Sequence, residues 1–174
     1  AKRCSVGDPS FNCMSPAEDA EAIAALRNAV SDDLTFKHGK GPWTAHSTTA
    51  GVIFDLRNAK LFVVLQRGEA VASLILDSKK PWAIELNNFP KAKCPLYLTA
   101  MVVAPEHQRQ GLGRACLAEA VKIARRAKAG AIFLDAFDHP AAGAGAFYAK
   151  CGCRETGRAT YREIPLIYYE RAIK

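Results

Sequence analysis

The stretch LYLTAMVVAPEHQRQGLGRACLAEAVKIARRAKAG, residues 96–130, decides the fold. Its first nine residues, 96–104, are an apolar run without polar alternation, as in a strand covered on both faces. Pro105 stops it. From Gly111 the period changes. Leu117, Val121 and Ala124 recur at helical spacing, and Ala120, Ile123 and Ala127 widen the stripe. Gly130 offers a helix stop. AIFLDAFD, 131–138, follows as a second buried strand. Strand, helix, strand in that order is a βαβ crossover, which joins parallel neighbours in one sheet.

Outward from this unit the chain reads as a mixed domain. KLFVVLQ (60–66) and AVASLILD (70–77) are apolar strands joined by a hairpin at Arg67-Gly68-Glu69. WAIELNNF (82–89) reads as another strand, between the breakers KKP and FPKAKCP. Upstream, SPAEDAEAIAALRNAV (15–30) is a helix, with Ser15 as cap, Pro16 in the first turn and Glu18 completing a capping box. SDDLTFKHGKGPW (31–43) reads as loop and STTAGVIFDLRNA (47–59) as a second helix. Downstream, residues 141–150 form a short helix weakened at its start by Gly143 and Gly145, and residues 158–171 give two strands broken at Pro165. The fold class is α/β (α+β): one domain over residues 1–174, about four helices, and a mixed, mostly antiparallel sheet.

Composition narrows the function classes. Apolar residues make up 49% and charged residues 24%, ordinary for a globular domain that needs no disulfide or metal to fold. No run approaches the roughly 18–20 apolar residues of a membrane span, and AKRCSVGDPSFNCMS at the start has no signal-peptide core. The expectation is a cytoplasmic protein without membrane partners. Six cysteines at irregular spacing, without paired CxxC units, read as reduced and mostly structural, and no metal is expected. The formal charge of +7 favours an anionic partner. No helix-turn-helix, RNP or zinc pattern supports nucleic acid, which is therefore not expected.

The loop HQRQGLGRA, 107–115, bears on that anion. The first N–H groups of a helix lack partners within it and favour anions. Gly111 and Gly113 remove side chains from this end, and Arg109 and Arg114 add charge that suits a phosphate but not an empty helix terminus. A P-loop needs different spacing and a Lys, and a Rossmann fingerprint needs Gly where Cys116 stands. On the glycines alone, a tight turn with its arginines in water serves equally well.

MVVAPEHQRQGLGRACLAEAVKIA resembles the acetyl-CoA-binding motif of the GNAT superfamily of N-acetyltransferases, whose pattern is Arg or Gln, two residues, Gly, one residue, Gly or Ala. Gln108, Gly111 and Gly113 match in register. GAFYAKCGC, 145–153, is similar to the family's aromatic–Tyr–x–x–x–Gly signature, with Phe147, Tyr148 and Gly152 matching and Cys153 in place of the usual Phe. EDAEAIAAL resembles the first helix of the family.

The resemblance implies acetyl-CoA as cosubstrate and a primary amine as acceptor. It assigns the backbone of Met101, Val102 and Val103 to the pantetheine arm and the acetyl carbonyl. It assigns Gln108, Arg109, Gln110, Gly111, Leu112, Gly113 and Arg114 to the pyrophosphate loop. Tyr148 becomes the acid that meets the departing thiolate. The usual strand Glu is absent, since Tyr97 occupies that position. Glu85, Tyr97, Asp135 or water are the candidate bases, and Glu85 is preferred because WAIEL would present it near the open cleft. Ala141 stands where many members carry a CoA-contacting Asn. Phe36, Trp43, Tyr161 and Tyr168 either wall an acceptor pocket or belong to the core. The missing Glu keeps a second reading open, a non-catalytic acyl-CoA-binding module, and the exposed late strands suit a homodimer.

Overall fold

A computed structural model describes residues 10–13, 19–81, 84 and 86–174. It shows a seven-stranded open sheet carrying helices on both faces. The strands are β1 (Ser10–Cys13), β2 (Lys60–Gln66), β3 (Glu69–Asp77), β4 (Leu96–Val103), β5 (Ala131–Phe137), β6 (Arg154–Tyr161) and β7 (Ile164–Ala172). Their order across the sheet is β1-β2-β3-β4-β5-β7-β6. Every neighbouring pair is antiparallel except β4 and β5. That one parallel pair is joined by the crossover helix α3 (Leu112–Arg126). The other helices are α1 (Ala20–His38), α2 (Thr49–Asn58) and α4 (Gly145–Lys150).

Strand pleating sorts the core. Leu74, Leu98, Ile132, Leu134 and Ile167 point to one face and pack with Cys116, Leu117, Ala120 and Ala124 of α3. On the opposite face Leu61, Val63 and Ile75 pack with Ile23 of α1 and Val52 of α2. Tyr97, Phe133 and Tyr168 continue that second face under Ile84 and Phe89. Cys116, where a Rossmann motif would need Gly, is fully buried, and burial pushes its thiol up to about 11. Cys94, Cys116, Cys151 and Cys153 are free thiols.

Several boundaries differ from the sequence reading. α1 continues through 31–38, expected as loop, and stops only at Gly39, whose φ is +79°. Ser and Asp are weak helix formers, but this stretch has no Gly or Pro, and Lys37 pairs with Asp33 one turn away at 2.7 Å. The capping residues proposed for this helix, Ser15, Pro16 and Glu18, lie outside the described residues. WAIELNNF is not a strand across its described residues: 86–88 form a 3-10 turn. The Leu96–Leu98 half of β4 already has β3 and β5 on its two edges, and the described part of this segment lies over the sheet instead. It drops Ile84 into the core and stacks Phe89 on Phe133 at 4.2 Å.

The last two strands break at Arg162-Glu163, not at Pro165. Both turn residues have positive φ (45° and 67°), and Pro165 sits inside β7 opposite Thr160. The expected hairpin between β2 and β3 turns on Arg67 and Gly68, with φ of 53° and 85°, the geometry of a two-residue primed turn. Gly130 does not end α3, which stops at Arg126. It allows close approach to Lys93, whose backbone N would lie 3.0 Å from an added Cβ.

The layer of α1 and α2 is tied by polar contacts. Arg27 Nη1 meets Asp55 Oδ2 at 2.8 Å, while its Nε and Nη2 are buried without a partner. Asn28 clamps Ser47 through both backbone groups, donating to its carbonyl at 3.1 Å and accepting from its N–H at 2.7 Å. Ser31 donates its hydroxyl to the carbonyl of Trp43. These bonds fix the path of the 39–48 connection.

Candidate active site

β4 and β5 run as neighbours only briefly. Leu96, Tyr97 and Leu98 pair with Ile132, Phe133 and Leu134, and there the ladder ends. Beyond it β4 stays on β3, with Thr99 opposite Ile75, Val102 opposite Ser73 and Val103 opposite Ala72. The register slips between Ser73 and Ile75, and Ala100 takes a φ of 48°. A bulge of this kind bends its strand. The edge of Thr99–Val103 facing β5 is left without a strand. A cavity of about 300 Å³ occupies the wedge, lined by Thr99, Ala100, Met101, Asp135, Ala144 and Tyr148 among others.

The glycine loop follows the unpaired half of β4 and leads into α3. Gly111 caps α3 in the left-handed conformation, φ 87°, and an added Cβ there would meet open space. Its glycine is required by conformation, not by crowding. The first α3 bond runs from the Ala115 N–H to the Gly111 carbonyl. The N–H groups of Leu112, Gly113 and Arg114 therefore have no partner within the helix. Gly113 serves a different purpose: an added Cβ would stand 3.2 Å from Phe147 Cζ, so its smallness seats Phe147 of α4 against α3. Gln108 donates to the Val103 carbonyl at 3.2 Å and Gln110 to the Glu106 carbonyl at 2.9 Å. Both glutamines brace the loop against its own backbone. Arg109, with φ 61°, and Arg114 are exposed.

A groove of about 390 Å³ leads away from this loop between α3 and α4. Arg114, Lys122, Arg125, Lys150 and Arg171 line it. Arg125, near the end of α3, thereby has a place in a basic groove. Sequence periodicity could not have shown this, because Lys150 and Arg171 come from distant elements.

The chain matches the family described as "Acetyltransferase (GNAT) family" over residues 23–153. It belongs to the GNAT acetyltransferase family. No curated protein matches this GNAT chain. Solved structures share its fold. A GCN5-related N-acetyltransferase from Rhodopseudomonas palustris is similar at 18% identity and a TM-score of 0.73, over 99% of this chain and 100% of that one. An N-acetyltransferase from Staphylococcus aureus Mu50 is similar at 16% identity and a TM-score of 0.70, over 97% and 100%. A putative acetyltransferase from Salmonella typhimurium, solved with its cofactor acetyl-CoA, is similar at 15% identity and a TM-score of 0.69, over 97% and 95%.

Within this GNAT domain the ionisable groups separate clearly. Tyr148 is 6% exposed and faces the wedge. Burial, and secondarily the charge of Asp135, push its phenol well above the ordinary tyrosine value. Asp135 is the carboxylate lining the wedge, and burial raises its pKa against a lowering backbone hydrogen bond. Tyr97 lies elsewhere. It is 4% exposed in the aromatic core beside Phe133, so it does not open onto the wedge. Glu85 lies outside the described residues. Of the four aromatics considered for the acceptor side, Tyr168 is fully buried core, Tyr161 packs against that core, and Phe36 is 91% exposed. Trp43 alone reaches the end of β5, edge-on to Phe137 with centroids 5.2 Å apart.

The turn from β5 to α4 also constrains the site. α4 begins at Gly145, four residues later than expected, because Gly143 is pressed against backbone. A Cβ there would come within 2.3 Å of the Phe137 carbonyl oxygen. Gly143→Ala is expected to cost about 1–3 kcal/mol through overpacking. A thermal melt is the check, and an unchanged Tm would contradict this packing.

Proposed function

We propose that this GNAT chain transfers the acetyl group of acetyl-CoA to a primary amine by direct attack of the amine nitrogen. The observation that carries the reading is the parting of β4 from β5 after Leu98 and Leu134, with Asp135 and Tyr148 in the gap and the N-terminus of α3 after the loop that follows β4. The fit is physical as well as familial. An open strand edge suits a thin amide-bearing arm, unpartnered helix N–H groups suit a pyrophosphate, and the basic groove beyond suits further phosphate.

Acetyl-CoA supplies the activated acyl carbon as a thioester. The chain's own residues have four tasks. The backbone edge of Met101, Val102 and Val103 aligns the arm, and an N–H there meets the oxygen as negative charge develops. The amides of residues 109–114, with Arg109 and Arg114, hold the pyrophosphate. Asp135 takes the proton that the amine must lose. Tyr148 donates a proton to the departing sulfur. Its raised pKa keeps the phenol protonated throughout the neutral range. The reading as a binding-only module rested on the missing strand carboxylate; Asp135 at the wedge weakens that argument.

The acceptor is a small-molecule, peptide or protein amine. Neither metal nor nucleic acid enters the proposal. β6 is an outer strand of the sheet, so pairing along it is the natural form of a homodimer. No described helix is long and apolar enough to cross a membrane.

The test is release of CoA thiol from acetyl-CoA across a panel of primary amines, with variants at Asp135. Below its pKa Asp135 is protonated and cannot accept a proton, so kcat/KM falls as the pH drops. Because its pKa is raised, this acid limb lies above the ordinary carboxylate range near pH 4. Asp135→Asn is expected to lower kcat/KM about 10²-fold and remove the limb. An Asn variant that keeps the same acid limb would show that another group accepts the proton.

A further inference from the structure

We propose that the acceptor subsite takes a primary amine carrying a flat aromatic group two or three carbons from its nitrogen. This rests on the acetyl-transfer reading above and adds to it the class of substrate. Phe133, Asp135 and Phe137 share one face of β5 by strand alternation. Phe133 is covered by Phe89, Asp135 opens on the wedge, and Phe137 lies one further step along that face. Two residues of strand span about 7 Å. A nitrogen handing its proton to Asp135 therefore has Phe137 at the distance of an aryl ring on a short carbon spacer.

Phe137 does not stand alone. Trp43 meets it edge-on at 5.2 Å and 70°, and His139 lies nearly parallel to it at 8° and 5.4 Å. His38 completes the group, 6.3 Å from Trp43 and 6.2 Å from His139. The four rings come from the end of α1, the α1–α2 connection and the end of β5, and none belongs to the three packed cores. All four are partly exposed. Ring pairs of this kind accept a further ring edge-on or offset.

Two features make the group a recognition surface. The connection is held in place before any ligand arrives, by Ser31 on the Trp43 carbonyl, by Trp43 Nε1 on the Gly39 carbonyl at 3.2 Å, and by Thr44 Oγ1 accepting from Gly41 N–H at 2.9 Å. Preorganisation of this sort removes part of the cost of binding. The surface also has a polar handle. His139 Nδ1 accepts from the N–H groups of Ala141 at 3.2 Å and Ala142 at 2.9 Å. With that lone pair committed, Nε2 is left as the ring nitrogen that can face a ligand. The faces of the Trp43 and Phe137 rings attract an ammonium group on arrival.

The experiment compares phenethylamine with n-butylamine. Their kcat/KM values are measured on the full chain with acetyl-CoA, and their equilibrium binding is measured by calorimetry in the presence of CoA. The expected result is a preference for phenethylamine of about tenfold or more, falling toward one in both Trp43→Leu and Phe137→Leu. The second variant acts from the strand side, so it stands if Trp43→Leu disturbs the connection. Equal use and equal binding of the two amines would overturn the proposal, and so would variants that leave the ratio unchanged. If phenethylamine binds in preference and both variants abolish that preference, yet neither amine is acetylated, the aromatic subsite holds and the acetyl-transfer reading fails. If both amines are acetylated at equal rates, the reverse is true.

Discussion

Tyr148→Phe is expected to lower kcat by about 10²–10³-fold while leaving the KM for acetyl-CoA nearly unchanged. The substitution removes one oxygen from a side chain that is 6% exposed and packed beside Phe147 and Tyr169. Phe keeps the ring and its packing, so the fold has little reason to respond. What disappears is the proton offered to sulfur as the carbon–sulfur bond breaks. The loss appears in kcat because the hydrogen bond strengthens only as charge builds on sulfur. Steady-state kinetics with a melting curve separates the two effects. A variant with the wild-type rate would show that Tyr148 only packs α4 on the sheet. The pH profile gives a second view: with the phenol raised by burial and by Asp135, no loss of the donor is expected up to about pH 10, the ordinary tyrosine value.

Gly111→Glu is expected to abolish CoA binding and to leave the sheet folded. Two effects act at one position. A side chain at φ 87° imposes left-handed strain of about 1–2 kcal/mol, and a carboxylate is placed beside the three helix N–H groups that would face the pyrophosphate. An added Cβ meets open space, so no core contact is lost. Calorimetric titration with CoA is the direct measurement, and circular dichroism checks the fold. Retained binding would refute the phosphate role of the loop. Gly113 would behave differently, since its Cβ strikes Phe147, and a change there disturbs the α3–α4 contact as well.

Much of the architecture was legible in the sequence because local pattern and tertiary need agree there. Residues 96–138 show an unbroken apolar strand, an amphipathic helix and a second apolar strand, and they fold as that crossover. Reading failed where tertiary context decides. Residues 31–38 lack helix-favouring composition yet extend α1, because Ser31 and Asn28 find partners in the following connection. WAIELNNF has the composition of a strand, but its described residues turn at 86–88 and lay Ile84 and Phe89 over the aromatic core. Pro165 looks like a break, but the turn lies at two residues able to take positive φ. At the site, the order of the motif residues was visible, but the function of each glycine was not: Gly111 and Gly113 look alike in sequence and have different tasks. Asp135 could be named as a candidate from its strand, but its presence beside Tyr148 depends on where β4 leaves β5. The basic groove was invisible, since its cations meet only in three dimensions.

The parting of β4 from β5 has a consequence for how the protein avoids its own kind. A strand with unused N–H and C=O groups is an invitation to another chain, and proteins normally blunt such edges at the rim of a sheet. Here the unused edge, Thr99–Val103, is five residues long and lies within the sheet, between two strands joined at their other end. A foreign strand needs about 5 Å of clear width and a flank on which to lay its side chains. The wedge is closed at Leu98 and Leu134, where β4 and β5 pair, so an incoming strand is stopped at that end. On the acetyl-transfer reading proposed above, the gap filters by thickness, taking a slender cofactor arm where a pleated strand with side chains on both faces would not fit.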